Sequence, residues 1–157
     1  MKYNIISTGS KGNCTIIEDK IMIDCGVSFK KVKEYCNKLS IVLLTHIHKD
    51  HFCSSTIQKL ANERPTLRFG CGPWLVMDLL KCGVDKRNID VYLLDLEHKY
   101  KEFSVMPFQL FHDVQNCGYK IEINNQKMIY ATDTCEINHV DAKNFDLYLI
   151  EGNYTED

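Results

Sequence analysis

At 157 residues the chain is one domain's worth, long enough to bury roughly 65–70% of its unfolded surface without disulfide staples. Its 19 basic and 21 acidic residues leave a formal charge of −2, which excludes the general pull toward polyanions of a strongly basic nucleic-acid binder. The N-terminal apolar stretch is too short for a signal-peptide core, no later run approaches the ~20 residues of a membrane span, and the eight cysteines have no paired spacing, so free thiols in a reducing cytoplasm are expected.

In chain order, β-rich runs at 3–6, 14–18 and 21–24, each bounded by Gly, Asn or Asp, predict an opening antiparallel meander. Ser28 can cap a helix whose apolar positions Phe29, Val32, Tyr35, Cys36 and Leu39 follow helical spacing. Residues 41–44 are wholly apolar and suit a buried strand. A second helix is predicted over 55–62, and a third begins at Pro73 and stops at Gly83. The pattern then returns to strands at 91–94, 103–111, 119–123, 127–132 and 145–150, with Asn124 and Asn125 as a hairpin turn. Strands, helices, then strands again, with no repeat and no linker, predict one α/β (α+β) domain over 1–157 with two sheet segments.

The chemistry is concentrated directly after the strand at 41–44, in Thr45, His46, Ile47, His48, Lys49, Asp50 and His51. Three imidazoles and a carboxylate so close together cannot all enter a core without unsatisfied polar groups, so a loop at a strand end is expected. Neutral imidazoles with a carboxylate suit zinc, manganese or iron, and two such pairs can address two neighbouring ions.

The segment THIHKDH resembles the THxHxDH signature of the metallo-β-lactamase superfamily, and other elements stand in that family's order. Asp24 in IMIDCG resembles its supporting aspartate, His112 in LFHDVQNCGY its third histidine, and Asp133 in YATDT its bridging carboxylate. The resemblance implies an αββα sandwich and two divalent metal ions, zinc or manganese. His46, His48 and His112 would hold the first, Asp50 and His51 the second, and Asp133 would bridge them. A shared carboxylate offsets the repulsion of two close cations, and water held between them is largely hydroxide at neutral pH. For Asp24 two readings stand: a turn residue before glycine, or a carboxylate that orients a liganding imidazole. His98, in EHKYKE, and His139 read as surface residues, and the cysteines as small buried hydrophobes.

The opening STGSKGN resembles the GSxGNS segment of the nuclease-like branch, above all YycJ-type proteins, with Cys14 in place of a small residue. Glu151 and Asn153 near the C-terminus match that branch's acidic and asparagine positions. Ser10, Gly12 and Asn13, with Asn153, are candidate substrate contacts, since backbone N–H groups and short side chains can cradle a phosphate; a plain turn between two strands is the alternative. The family pattern continues past the region of Glu151 to a further histidine that completes the second metal site, whereas this sequence stops at Asp157. The domain is therefore expected to be C-terminally short, as a fragment or a natural truncation in preference to completion by another chain, with its second sheet and second ion incomplete.

The function implied is phosphodiester hydrolysis by a metal-bound hydroxide, with Asp50 orienting the nucleophile and accepting its proton. A nucleic-acid substrate, as a single strand or an end, suits the even spread of charge. The alternatives are a cyclic nucleotide or other small phosphodiester, a thioester or lactam, or a metal-stabilised module without turnover. No membrane partner is expected, and exposed strand edges would allow a homo-oligomer.

Overall fold

The apolar runs that open the chain pair as an antiparallel meander, β1 (Tyr3–Ser7), β2 (Cys14–Ile17) and β3 (Ile21–Ile23), in a computed structural model that describes residues 1–151. β2 and β3 meet at a two-residue turn in which Glu18 and Asp19 both take positive φ and Lys20 N–H donates to Ile17 O at 2.9 Å. From β3 the sheet continues in parallel through β4 (Ile41–Leu44), β5 (Arg68–Cys71) and β6 (Ile89–Val91), in the spatial order of the sequence. These elements form one compact unit, residues 2–92. β4 is buried along its whole length, as a parallel strand covered on both faces should be.

The predicted helix after Ser28 breaks early: α1 spans only Phe29–Val32, and a 3₁₀ turn, Lys33–Tyr35, follows. Beyond that turn Arg64 donates to the carbonyls of Cys36 (2.7 Å) and Leu39 (3.3 Å), acceptors that have no partner within a helix ending there. α2 (Ser54–Glu63) forms where a helix is expected, over 55–62, and buries Thr56, Ile57 and Leu60. Pro73 opens a 3₁₀ turn, Pro73–Leu75, which runs into α3 (Val76–Lys81); Gly83 at φ +84° ends it. β5 was not anticipated, because RFGC has neither alternation nor a β-branched residue. Its Gly70 is required by close approach: a Cβ there would lie 2.5 Å from the Tyr92 hydroxyl. The strand expected at 91–94 lies at Ile89–Val91 instead, as β6, and residues 92–94 are not in a strand.

The second unit, which begins at Leu93, holds a five-stranded sheet ordered β11-β10-β9-β8-β7. Its strands are β7 (His98–Lys99), β8 (Phe103–Leu110), β9 (Asn116–Ile123), β10 (Gln126–Ala131) and β11 (Leu147–Ile150). All neighbours are antiparallel except β10 and β11. The Asn124–Asn125 turn forms as predicted, both residues at positive φ, 53° and 58°. His98 corrects an expectation: it is half-buried in β7 and paired with Val105, not a solvated loop residue. The last strand starts at Leu147 instead of 145 because Phe145 packs, with Ile137, Val140 and Ala142, against Phe108, Leu110, Ile129 and Ala131. No disulfide links the described cysteines, and no helix among the described residues is long and apolar enough to cross a membrane.

The mixed α/β architecture with two sheets is the one the sequence predicts.

Candidate metal centre

The loop that leaves β4 buries Thr45 and His46 completely and His51 almost completely. The His46 ring centroid lies 4.9 Å from that of His48 and 4.2 Å from that of His51, so three imidazoles converge. Asp24, at the end of β3 and itself fully buried, organises them. Its carboxylate accepts from Thr45 N–H at 3.0 Å, from the Thr45 hydroxyl at 2.9 Å, and from His51 Nδ1 at 2.7 Å.

This network fixes two tautomers. A carboxylate only accepts, so His51 carries its proton on Nδ1 and turns Nε2 the other way. The single Thr45 hydroxyl proton goes to Asp24, so toward His46 Nδ1, 2.9 Å away, that oxygen accepts. His46 is then also an Nδ1–H tautomer that would address an ion through Nε2. One buried carboxylate thus orients His51 directly and His46 through Thr45. Asp24 holds φ +58°, a conformation that Asp and Asn tolerate better than most side chains.

The glycine-rich opening braces this loop. A Cβ at Gly26 would lie 1.7 Å from Asp50 O, and one at Gly12 would lie 2.1 Å from Gly26 O, so three backbones stack where no side chain fits. Asn13 N–H donates to Asp50 O (2.6 Å), Gly26 N–H to Asn13 O (2.9 Å), and Cys25 N–H to His51 O (2.8 Å). The Asn13 amide also reaches His51 Nε2 at 2.8 Å. The segment expected to offer donors to a phosphate instead directs them inward: Gly9 N–H to Asn13 Oδ1 and Gly12 N–H to Gly9 O, both at 2.9 Å. Ser10 alone of the three expected contacts in this segment is exposed.

Sequence reasoning missed Trp74, whose Nε1–H donates to Thr45 O at 3.2 Å and holds the start of the loop. Its only sequence signal was that it is the chain's single tryptophan.

In the second unit, His112 follows β8 and is exposed, its Nε2 3.1 Å from Asp113 Oδ1. Asp133 follows β10 at φ +53° and is half-buried. Its N–H donates to the Glu151 carboxylate at 2.9 Å, while Glu151 N–H bonds Ala131 O at 3.0 Å. Asn116, fully buried and not singled out in the sequence, donates to Thr132 O (3.1 Å) and Asp133 O (2.9 Å) and so fixes the turn that carries Asp133. His139 is exposed and bonds Gln109 O at 2.8 Å. Asn153 lies outside the described residues.

Residues 19–157 match the family model described as the beta-lactamase superfamily domain. The chain belongs to that superfamily. Among curated members, the exodeoxyribonuclease WalJ of Streptococcus pneumoniae serotype 2 is 26% identical over 176 residues, covering 98% of this chain and 62% of that protein. The exodeoxyribonuclease YycJ of Bacillus anthracis is 23% identical, covering 85% of this chain and 54% of that protein. This chain therefore spans between about half and two thirds of the length of these relatives. Among solved structures, the metallo-β-lactamase fold protein YhfI from Bacillus subtilis aligns with a TM-score of 0.67 at 18% identity, over 82% of this chain and 60% of that one. Human tRNase Z, short form, aligns with a TM-score of 0.66 at 14% identity, over 83% and 68%. These neighbours show the metallo-β-lactamase fold.

That fold and the His/Asp cluster together point to a divalent metal. The donor set fits one: His46 offers a ring nitrogen within 4.8 Å of one on His48 and of one on His51, and tautomers fixed through Nδ1 are what imidazole ligands need. Burial raises the Cys14 and Cys25 thiols well above their ordinary value, with the Asp24 charge adding to it.

Proposed function

We propose that this chain hydrolyses phosphodiester bonds of nucleic acid with divalent ions held by His46, His48 and His112 on one side and Asp50 and His51 on the other, Asp133 serving both. The observation that carries the reading is the Asp24 network, which engages His46 and His51 through Nδ1 while one ring nitrogen of each lies within 4.8 Å of one on the other. The exodeoxyribonuclease names of the curated relatives support nucleic acid as the substrate class. When bound, a divalent ion lowers the pKa of a coordinated water and withdraws charge from a phosphoryl oxygen. Asp50, whose side chain is 35% exposed and 3.7 Å from His51 Nε2, accepts the proton of the attacking water. Asp24 and Thr45 keep the imidazoles aligned, and Asn116 and Glu151 keep Asp133 in its turn. Zinc or manganese suits this set of nitrogen and oxygen donors. A net charge of −2 favours a single strand or a strand end over a long duplex, because few phosphates need be neutralised. The cytoplasm is the compartment proposed for such a substrate.

The test uses end-labelled single- and double-stranded oligonucleotides with the metal-loaded chain, with cyclic nucleotides as competing substrates. Cleavage should be lost by about 10³-fold or more in His46→Ala and in Asp133→Ala, as for removal of groups that act in the transition state. Undiminished cleavage in either variant would refute the assigned centre, and turnover of cyclic nucleotides alone would move the substrate class to small phosphodiesters.

A further inference from the structure

Asn13 stands out because its amide NH2 is surrounded by acceptors: His51 Nε2 at 2.8 Å, Gly9 O at 3.2 Å, Asp50 O at 3.3 Å and Asp50 Oδ2 at 3.4 Å. An NH2 has two protons, so the short contact to His51 takes one and the three longer ones share the other. A ring of nitrogen, carbonyl and carboxylate acceptors around one electropositive group is also the environment a cation selects. The amide orientation is fixed independently, because Oδ1 accepts from Gly9 N–H at 2.9 Å. The residue is 7% exposed, and its backbone is pinned on both sides, to Asp50 O and to Gly26 N–H.

We propose that Asn13 sets the order in which the metal centre fills, its amide holding His51 Nε2 in the metal-free protein so that the His46–His48 side loads first. This rests on the metal-binding reading above. His51 presents Nε2 because Asp24 takes its Nδ1 proton, and the same lone pair serves either the Asn13 amide or an ion, never both. Release turns the Asn13 amide about its side-chain bonds while the pinned backbone stays: the Gly9 N–H bond to Oδ1 loosens as Nδ2 leaves His51, and the Gly9 and Asp50 carbonyls accept the displaced N–H. Asn13 is therefore a positioning residue for His51: it keeps the ring aligned when no ion is there and competes with the ion that arrives.

The experiment titrates the metal-free full chain with zinc and with manganese by calorimetry, comparing wild type with Asn13→Ala. Loss of one competing hydrogen bond should tighten the second binding step about two- to tenfold and leave the first within about twofold. Nitrogen-15 spectra of the metal-free histidines supply a second readout. The Asn13→Ala protein should keep the His51 Nδ1–H tautomer while its Nε2 resonance moves toward that of an imidazole nitrogen with no donor. Should Asn13→Ala fold poorly, nitrogen-15 spectra of the wild-type chain titrated with zinc supply the test: the His51 Nε2 resonance should move only after the first equivalent is bound, and movement with the first equivalent overturns the filling order. A second step that weakens, or an Nε2 resonance that stays put, overturns the role of Asn13. A wild-type chain that takes up no divalent ion refutes the metal centre itself, whereas two steps unchanged by the substitution refute Asn13 alone.

Discussion

Asp24→Asn is the sharpest probe of the centre, because it changes hydrogen-bond polarity and almost no volume. Asn is tolerated at the φ of +58° that position 24 adopts, so the backbone gives no reason to move. The new amide must face Thr45 N–H and hydroxyl on one side and His51 Nδ1 on the other, at 3.0, 2.9 and 2.7 Å in the native arrangement. If its oxygen stays with Thr45, its NH2 meets the Nδ1 proton of His51. If His51 changes tautomer to avoid that, its Nε2 proton meets the Asn13 amide at 2.8 Å. If the new amide flips, its NH2 meets Thr45 N–H. Every arrangement leaves at least one buried donor unsatisfied and loses charge-assisted bonds, a cost of about 1–3 kcal/mol. The second of them also removes the lone pair by which His51 would bind metal, so affinity should fall about 10–100-fold. Urea unfolding with chelator present reads the first quantity, and elemental mass spectrometry after dialysis against micromolar zinc or manganese reads the second. A variant within about 0.5 kcal/mol of wild type and with unchanged metal content would refute the claim that Asp24 sets the histidine tautomers.

Gly26→Ala drives a Cβ to 1.7 Å from Asp50 O and 2.8 Å from His51 N, and backbone cannot swing aside. About 3 kcal/mol or more should be lost, a fall in Tm of roughly 6–12 °C by scanning fluorimetry. Gly9→Ala, with nothing within 4 Å at φ +82°, should cost only about 1 kcal/mol, and equal losses in the two would refute the close stacking. Asn116→Asp replaces two donated bonds to Thr132 O and Asp133 O with carboxylate–carbonyl repulsion and should destabilise the fold more than Asn116→Ala, which should itself cost about 1–3 kcal/mol; the reverse order in urea unfolding would argue against the clamp. Alkylation at pH 8, followed by mass spectrometry, should modify exposed Cys135 first and half-buried Cys53 next. Burial raises the Cys53 thiol, but hydrogen bonds with Ser55 and Thr56 together bring it below its ordinary value. Burial instead pushes Cys71 up to about 12 and raises the Cys14 and Cys25 thiols well above their ordinary value, so these stay neutral thiols and unreactive in the folded chain; early labelling at any of the three would contradict their burial.

What the sequence determined by itself was whatever depends on near neighbours along the chain. The apolar run Ile41–Leu44 could only be a buried strand, Asn124 and Asn125 could only be a tight turn, and the histidine-rich loop announced its chemistry because its ligand-type residues follow one another. The superfamily was legible for the same reason, since its signature is local. The path of the chain after α1 was not, because the Arg64 side chain that bonds the carbonyls of Cys36 and Leu39 comes from 25 or more residues away. Nor was β5, whose Gly70 has meaning only under the ring of Tyr92. The tertiary structure alone decided between the two readings of Asp24 in favour of contact with Thr45 and His51, partners 21 and 27 residues distant. It likewise turned Asn13 toward Asp50 and His51, 37 and 38 residues on. Hydrogen bonds of this kind carry no periodicity along the chain: a carboxylate or an amide at one position is compatible with many partners, and which it takes is set only when packing removes water and leaves one geometry that satisfies every buried donor.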